Sequence, residues 1–176
     1  MYALTRVMRS PFSRPLPGDN VPIRIQTEDF DAGRELAALR NLDRSVGAVA
    51  AFIGTVRDVN ADAAVAAMTL EHYPGMTERA LVAIVDEAKS RWNIMDAVVI
   101  HRVGALKPAD QIVLVGVASA HRGDAFAACE FIIDYLKTRA PFWKKEDTPS
   151  GARWVEARTS DDVAAARWQA RDEPVS

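Results

Sequence analysis

Four cations lie close together in the segment "DYLKTRAPFWKKE", residues 134–146, where an apolar stretch meets a proline and two aromatic residues. Lys137 comes before Pro141 and Lys144 comes after it, so the two lysines belong to different elements and can still converge on one point. A lysine that is crowded by cations and partly desolvated becomes usable as a general base or a covalent amine. The ordinary alternative is a solvated helix end, because cations such as Lys137 and Arg139 stabilise a helix C-terminus by about 0.3–1 kcal/mol.

Three more basic residues come at the ends of predicted strands. Arg57, in "GTVRD", follows an apolar strand, and His121 and Arg122, in "SAHRGD", join another apolar strand to the start of a helix. Free N–H groups and the helix dipole attract anions at such a start. Together with the two lysines, these residues predict a pocket for a phosphorylated, anionic small molecule, because arginine binds phosphate bidentately. The alternatives are a structural role for His121 and an ion pair of Arg57 with Asp58 or another carboxylate.

Other reactive residue types point to no second chemistry. His72 and His101 have no ligand spacing around them, so we expect no metal site. Cys129 is the single cysteine, which excludes an internal disulfide and a CxxC pattern, and its apolar surroundings predict a core position. Three aromatic residues near the lysines can stack on a flat heterocycle or belong to the core: Phe142, Trp143 and Trp154.

The overall composition is ordinary for a soluble globular protein. Apolar residues make up 49% and charged residues 26% of the 176 residues, and the net charge is −2. A sequence pI near 5.9 argues against a nucleic-acid-binding module, so any cationic site must be local. The longest clean apolar run, residues 112–120, is about half the ~20 residues that a membrane-spanning helix needs. The lone cysteine fits a reducing compartment, and we expect a cytoplasmic location.

The two ends of the chain differ from the rest. Residues 1–20 hold three prolines, three arginines and one acid without any period, which predicts a disordered extension. An arginine-rich organelle transit peptide is the alternative. Residues 171–176, "RDEPVS", predict a flexible tail, and residues 21–170 are expected to form a single domain.

Strand pairs alternate with helices between these ends. Apolar alternation and turn residues predict strands over 21–27, 47–58, 65–73, 95–104 and 111–120, and two short strands in "PFWKKE" and "ARWVEA". Helical spacing is found in "TEDFDAGRELAALRN", "MTERALVAIVDEAKSRW", "RGDAFAACEFIIDYLKTR" and "TSDDVAAARWQ". This order favours an α+β fold, in which helices pack on one or both faces of a largely antiparallel or mixed sheet.

Several details of these elements can be predicted as well. Segment 47–58 is apolar on both faces, which predicts a central strand. Thr27 or Asp29 is expected to cap the first helix, and Ser160 the last one. The apolar stripe of the third helix is predicted to consist of Phe126, Cys129, Ile133 and Leu136, widened by Phe131 and Ile132.

The motifs together resemble one known family. "LEHYPGMTE", "HRVG", "SAHR" before a Phe-containing helix, and "DYLKTRAPFWKKE" before a tryptophan occur in the order found in the large, catalytic subunit of molybdopterin synthase. The resemblance extends from about Ile23 to Trp168. It implies an α+β fold described as an α/β-hammerhead with an additional antiparallel β subdomain, and a sulfurtransferase that needs no metal or other cofactor.

The reaction and the assembly are also implied by this resemblance. The family transfers sulfur to cyclic pyranopterin monophosphate, or precursor Z, to make the dithiolene of molybdopterin for molybdenum cofactor. The sulfur arrives as a thiocarboxylate on the C-terminal Gly-Gly tail of a small, ubiquitin-like subunit. Two large subunits form a homodimer, and one small subunit at each end completes a heterotetramer. The pI and the short apolar runs already predict no nucleic acid and no membrane as partners.

The family's functional residues fall on matching positions of this sequence. The resemblance implies catalytic roles for Lys137 and Lys144, with Lys137 acting as an acid/base or as a transient covalent amine. The implied substrate-binding residues include both lysines and seven others: Thr55, Val56, Arg57, His121, Arg122, Lys145 and Glu146. A rival hypothesis is a non-catalytic module that binds a ubiquitin-like tail or an anionic ligand, since it explains the cationic cluster equally well.

Overall fold

Strands and helices follow one another along the chain in the computed structural model, which describes residues 23–60, 63–64, 67–148, 151–155 and 159–169. The described elements are β1 (Ile23–Gln26), α1 (Ala32–Arg40), β2 (Ala48–Thr55), β3 (Val59–Asn60), β4 (Ala63–Ala64), β5 (Ala67–His72), α2 (Met76–Arg91), β6 (Ile94–Arg102), β7 (Gly104–Leu106), β8 (Gln111–Ser119), α3 (Arg122–Arg139), β9 (Phe142–Thr148), β10 (Gly151–Val155) and α4 (Thr159–Gln169). The predicted extension 1–20 and tail 171–176 lie outside the described residues.

The first sheet has the strand order β1-β6-β8-β2. β1 pairs in parallel with β6, and the other pairs are antiparallel, as the predicted mixed sheet requires. The core lies mainly on one face of this sheet, where valines of β6 and β8 pack against the buried sides of α2 and α3. On the other face, Leu39 of α1 packs on Val98, Ile100 and Leu114. The α+β prediction is confirmed.

The prediction of a central position for β2 is wrong, because β2 is an edge strand of this sheet. Ala50 and Phe52 pack into the main core, whereas Ala51 and Ile53 on the opposite face are exposed. The strand therefore has one buried and one open face. Its alanines made both faces look apolar in the sequence, although small apolar residues are tolerated in water.

The second sheet is antiparallel and has the order β10-β9-β5-β7. Its inner face forms a separate small core, in which Met68, Leu70 and Leu106 pack with Val56 from the segment that follows β2. This cluster joins the second sheet to the end of β2. The sequence did not predict the short strands β3, β4 and β7 as separate elements, because two or three residues carry no readable period.

Three predictions about helices are corrected. The N-cap of α1 is Asp31, whose side chain accepts the backbone N–H of Arg34 at 3.0 Å, and neither Thr27 nor Asp29 caps it. Ser160 lies inside α4, which already begins at Thr159.

The third correction concerns Phe126, whose residue surface is 66% exposed. Cys129, Ile133 and Leu136 are buried as predicted. At about 100° per residue, Phe126 falls on the same side of α3 as exposed Glu130 and Lys137, at the margin of the buried arc. Phe126 therefore presents an aromatic ring to the outside of this chain.

Candidate active site

The fold separates the predicted site residues into two groups at opposite ends of α3. Arg122 is the first residue of this helix, and Lys137 lies fifteen residues later, in its last turn. At about 1.5 Å per residue their backbones are ~22 Å apart along the helix axis. The side chains of Arg122 and Lys137 cannot meet over that distance on one small ligand within a single copy of the chain.

Strand pairing shows which residues share the Lys137 end. α3 begins at Arg122, directly after β8 ends at Ser119, and Cys129 Sγ in the middle of α3 lies 3.8 Å from the carbonyl oxygen of Val115 in the middle of β8, so the helix folds back antiparallel over this strand. Lys137 therefore lies over the beginning of β8, where Gln111 pairs with Thr55. Arg57 follows two residues after Thr55, so Arg57 and Lys137 lie at the same end of the first sheet.

Lys144 lies at this end as well, through the second sheet. On β9 it pairs with Leu70 of β5, and the pleat places directly paired residues on the same face. Leu70 is buried against Val56, the residue immediately before Arg57. We refer to Arg57, Lys137 and Lys144 as the junction cluster, because they lie where the two sheets meet.

Thr55 and Val56 fix the position of Arg57. Thr55 is exposed and ends β2 at a register irregularity after Gly54. Val56 is buried, its N–H donates to the carbonyl oxygen of Asp110 at 2.9 Å, and its own carbonyl accepts the N–H of Ala109 at 2.9 Å. Val56 is thus an anchored core residue that directs the following arginine to the surface.

Lys145 and Glu146 continue β9 beyond the junction cluster. The alternation of β9 turns Lys145 to the face opposite Lys144, where its Nζ lies 6.0 Å from the ring centroid of Trp154. Trp154 also pairs with Lys145 across the strands, and its surface is largely exposed. The structure describes Glu146 by its backbone, which pairs with Met68.

A carboxylate that sequence reasoning did not assign to the site lies beside Lys137. Asp161 Oδ1, on α4, is 3.9 Å from Lys137 Nζ, and the two side chains are 24% and 47% exposed. The sequence showed Asp161 and Asp162 only as two acids in a first helical turn, where the helix dipole favours them. Its proximity to Lys137 depends on the packing of α4 against α3, for which the sequence carried no signal.

A buried histidine supports the strand that carries Lys144. The ring of His101 stacks on Phe142, with centroids 3.8 Å apart and planes inclined by 15°. His101 Nδ1 donates to the carbonyl oxygen of Arg102 at 2.8 Å, and burial lowers the pKa of His101 to about 4, so the ring is neutral at pH 7. Thr77 Oγ1 donates to the carbonyl oxygen of Pro141 at 3.1 Å. The turn before Lys144 is therefore held by packing and by a hydrogen bond.

The other group, His121 and Arg122, is exposed at the start of α3. The N–H of His121 donates to Ser119 Oγ at 3.2 Å, and that hydroxyl donates to the carbonyl oxygen of Asn93 at 2.9 Å. His121 is the N-cap residue without a capping hydrogen bond from its side chain. Both side chains thus face outward, one turn before the exposed ring of Phe126.

The described residues show no group of three or more His, Cys, Asp or Glu side chains that could hold a metal ion. Burial raises the pKa of the Cys129 thiol to about 11, which keeps it protonated and unsuited as a nucleophile. Among the described helices, none is long and apolar enough to cross a membrane.

Comparison with known proteins decides the family. The sequence model of the MoaE protein family matches residues 25–139, more than half of the chain. The chain belongs to the MoaE family. A molybdopterin synthase catalytic subunit from Ralstonia nicotianae is 66% identical to this MoaE chain over 146 residues, which cover 83% of each protein.

Solved structures agree with this assignment. The molybdopterin biosynthesis MoaE protein from Burkholderia ambifaria is 61% identical, with a TM-score of 0.73, over 84% of this chain and 97% of that one. A complex of subunits 1 and 2 of molybdopterin-converting factor from Helicobacter pylori is 19% identical, with a TM-score of 0.65, over 77% of this chain and 91% of that chain. The second likeness shows the fold alone.

Proposed function

We propose that the junction cluster is the site where this chain transfers sulfur to cyclic pyranopterin monophosphate. As a member of the MoaE family, the chain is a molybdopterin synthase catalytic subunit, a sulfurtransferase of molybdenum cofactor biosynthesis. The observation that carries the proposal is the placement of Arg57, Lys137 and Lys144. They come from three separate segments of the chain, namely the segment after β2, the last turn of α3 and β9, and lie at one end of the first sheet.

The charges of the junction cluster suit this reaction. A thiocarboxylate is anionic and must approach an electrophilic carbon of a substrate that already carries a phosphate. Cations around both groups lower the electrostatic cost of that approach. In this proposal Arg57 binds the substrate anion, Lys137 serves as an acid/base or as a covalent amine, and Lys144 stabilises charge on the acyl group or on the substrate.

His121 and Arg122 enter the same site from a second copy of the chain. Their distance of ~22 Å from Lys137 along α3 prevents them from joining the junction cluster of their own copy. Both side chains face outward, and the exposed ring of Phe126 beside them is suited to burial against another protein. A homodimer in which the start of α3 in one copy meets the end of α3 in the other would complete two equivalent sites.

The sulfur donor is the thiocarboxylated Gly-Gly tail of a ubiquitin-like small subunit. The relatives are named catalytic subunits, which supports a second subunit as the partner. No resident cofactor is required, because the transferred sulfur arrives on the partner. One domain over 21–170 and a cytoplasmic location stay predictions from the sequence.

The proposal is tested by mixing the protein with thiocarboxylated small subunit and cyclic pyranopterin monophosphate and measuring the dithiolene product. Lys137→Ala should abolish product while the binding of the small subunit persists. Lys89→Ala is the control, because Lys89 is an exposed lysine on α2 that pairs with Asp96 at 3.1 Å. If the wild-type protein binds the small subunit and forms no dithiolene, the chain is a docking module and the proposal is wrong.

A further inference from the structure

Asp161 is a carboxylate on the packed side of α4. It lies four and seven residues before Ala165 and Trp168, which are both buried, and this spacing places the three residues on one helix face. That face packs against α3. Asp161 Oδ1 lies 3.9 Å from Lys137 Nζ, at the outer limit of an ion pair. The Asp161 carboxylate therefore lies beside Lys137, the lysine to which the proposed function gives the central chemical role.

The position of Asp161 is set by contacts other than its pair with Lys137. Trp168 is 1% exposed and packs edge-on against Trp92 and Phe131, with ring centroids 5.5 and 5.6 Å away. Its Nε1 donates to Asp134 Oδ2 at 2.8 Å, and Asp134 precedes Lys137 by one turn of α3. The contacts of Trp168 hold α4 against α3. Asp161, in the first turn of α4, therefore lies beside Lys137 before any substrate binds.

The ordinary explanation for Asp161 is stabilisation of the α4 N-terminus. Acids in the first turn stabilise a helix through its dipole. Asp162 belongs to the same turn and shares this effect, but its surface is exposed and lies off the packed face. Substitution of each acid in turn therefore distinguishes the helix-dipole effect from an effect on Lys137, because of the two acids only Asp161 lies beside Lys137.

We propose that Asp161 is a positioning residue that holds the Lys137 ammonium at the junction cluster. This inference rests on the proposed function. A lysine side chain loses rotamer entropy when it is fixed, and the ion pair with Asp161 restricts the Lys137 side chain before the substrate arrives. The pair is long and half open to water, so Lys137 can leave Asp161 to meet the incoming anion. Asp161 acts through Lys137 and is not itself in contact with the reacting atoms.

The test compares Asp161→Asn, Asp161→Glu and Asp162→Asn in single-turnover sulfur transfer from thiocarboxylated small subunit to cyclic pyranopterin monophosphate. We expect Asp161→Asn to lower the maximal rate constant by roughly tenfold or more, because misplacement of a reacting group costs rate rather than substrate affinity. The substrate concentration at half-maximal rate should change less than twofold. Asp161→Glu should recover most of the rate, and Asp162→Asn should match the wild type.

Thermal unfolding of the same variants completes the test. We expect the midpoints of Asp161→Asn and Asp162→Asn to agree, since both lose the same first-turn charge. The inference is overturned if the two variants lose rate equally, or if the loss in Asp161→Asn follows a lower unfolding midpoint. A normal rate in Asp161→Asn together with an inactive Lys137→Ala overturns this inference alone. An inactive wild type or an active Lys137→Ala overturns the proposed function instead.

Discussion

Arg122 and Lys137 occupy the first and the last turn of one helix, and about 22 Å of that helix separates them. In the proposed site both residues contact one ligand. The two statements agree only if each site takes Lys137 from one copy of the chain and Arg122 from the other. Under this proposal, self-association is a requirement for the chemistry of this protein.

Mixed dimers of two inactive variants test this arrangement. In a dimer of one Lys137→Ala copy and one Arg122→Ala copy, one site carries both substitutions and the other site carries neither. Random mixing of equal amounts should make half of all dimers mixed, and about a quarter of the wild-type activity should return. The measurement is dithiolene formation after the variants have been dissociated and reassociated together. If both residues served their own copy, the mixture would stay as inactive as its components.

A second prediction concerns the substrate affinity that Arg57 provides. Arg57→Ala should weaken binding of cyclic pyranopterin monophosphate by about 1–3 kcal/mol, the scale of a lost charge-assisted hydrogen bond. Arg57→Lys should recover only part of the loss, because an ammonium group cannot bind a phosphate bidentately. Isothermal titration calorimetry on the complete dimer measures both affinities. Equal affinity in wild type and Arg57→Ala would remove Arg57 from the binding site.

The sequence was sufficient for the main elements and for the local positions of the cations. Helices α2 and α3 and strand β8 were predictable because their apolar periods are long and agree with their turn residues. The break at Pro141 likewise separated Lys137 from Lys144 correctly. These features depend on residues that are close together in the sequence, so a local sequence pattern can predict them.

The arrangement of the helices and strands relative to one another was harder to predict from the sequence. β2 is an edge strand, although its alanines suggested burial on both faces, because strand order depends on contacts between distant segments. The separation of Arg122 from Lys137 followed directly from the predicted helix length, but convergence of all the cations was still expected. The contact of Asp161 with Lys137 depends on how α4 packs against α3. No periodicity within either helix encodes that packing.

A third prediction follows from the buried imidazole of His101. Burial lowers the pKa of His101 to about 4, whereas the unfolded chain takes up its proton near the ordinary value of 6.5. Between these values the unfolded state binds more protons, so stability is complete above pH 6.5 and is lost as the pH falls towards 4. The loss attributable to this residue is roughly 3 kcal/mol. Urea denaturation at several pH values between 7 and 4 measures it.

The control compares how steeply the free energy of unfolding depends on pH, and not the absolute free energy of unfolding. His101→Gln removes the stack on Phe142 and lowers stability at every pH, but its free energy of unfolding should depend less steeply on pH between 6.5 and 4. An unchanged slope in His101→Gln would mean that other groups cause the acid sensitivity.

The last prediction concerns the docking of α4, which brings Asp161 to Lys137. Asp134 Oδ2 accepts Trp168 Nε1 at 2.8 Å and Arg167 at 2.7 Å. Asp134→Ala leaves the buried indole N–H without its acceptor, and the free energy of unfolding should fall by about 1–3 kcal/mol. Denaturant titration measures this change. The pair with Arg167 contributes less, because the Arg167 side chain is 44% exposed to water.

A double-mutant cycle with Trp168→Phe isolates the indole hydrogen bond. Phenylalanine keeps an aromatic ring against Phe131 but has no N–H to leave unpaired. Asp134→Ala should therefore cost clearly less in the Trp168→Phe background than in the wild type, and the difference is the coupling free energy of the pair. Equal costs in both backgrounds would show that Asp134 holds α4 through Arg167 alone. Asp134 would then contribute to the docking of α4 through its pair with Arg167, and that contribution should decline as salt screens the pair.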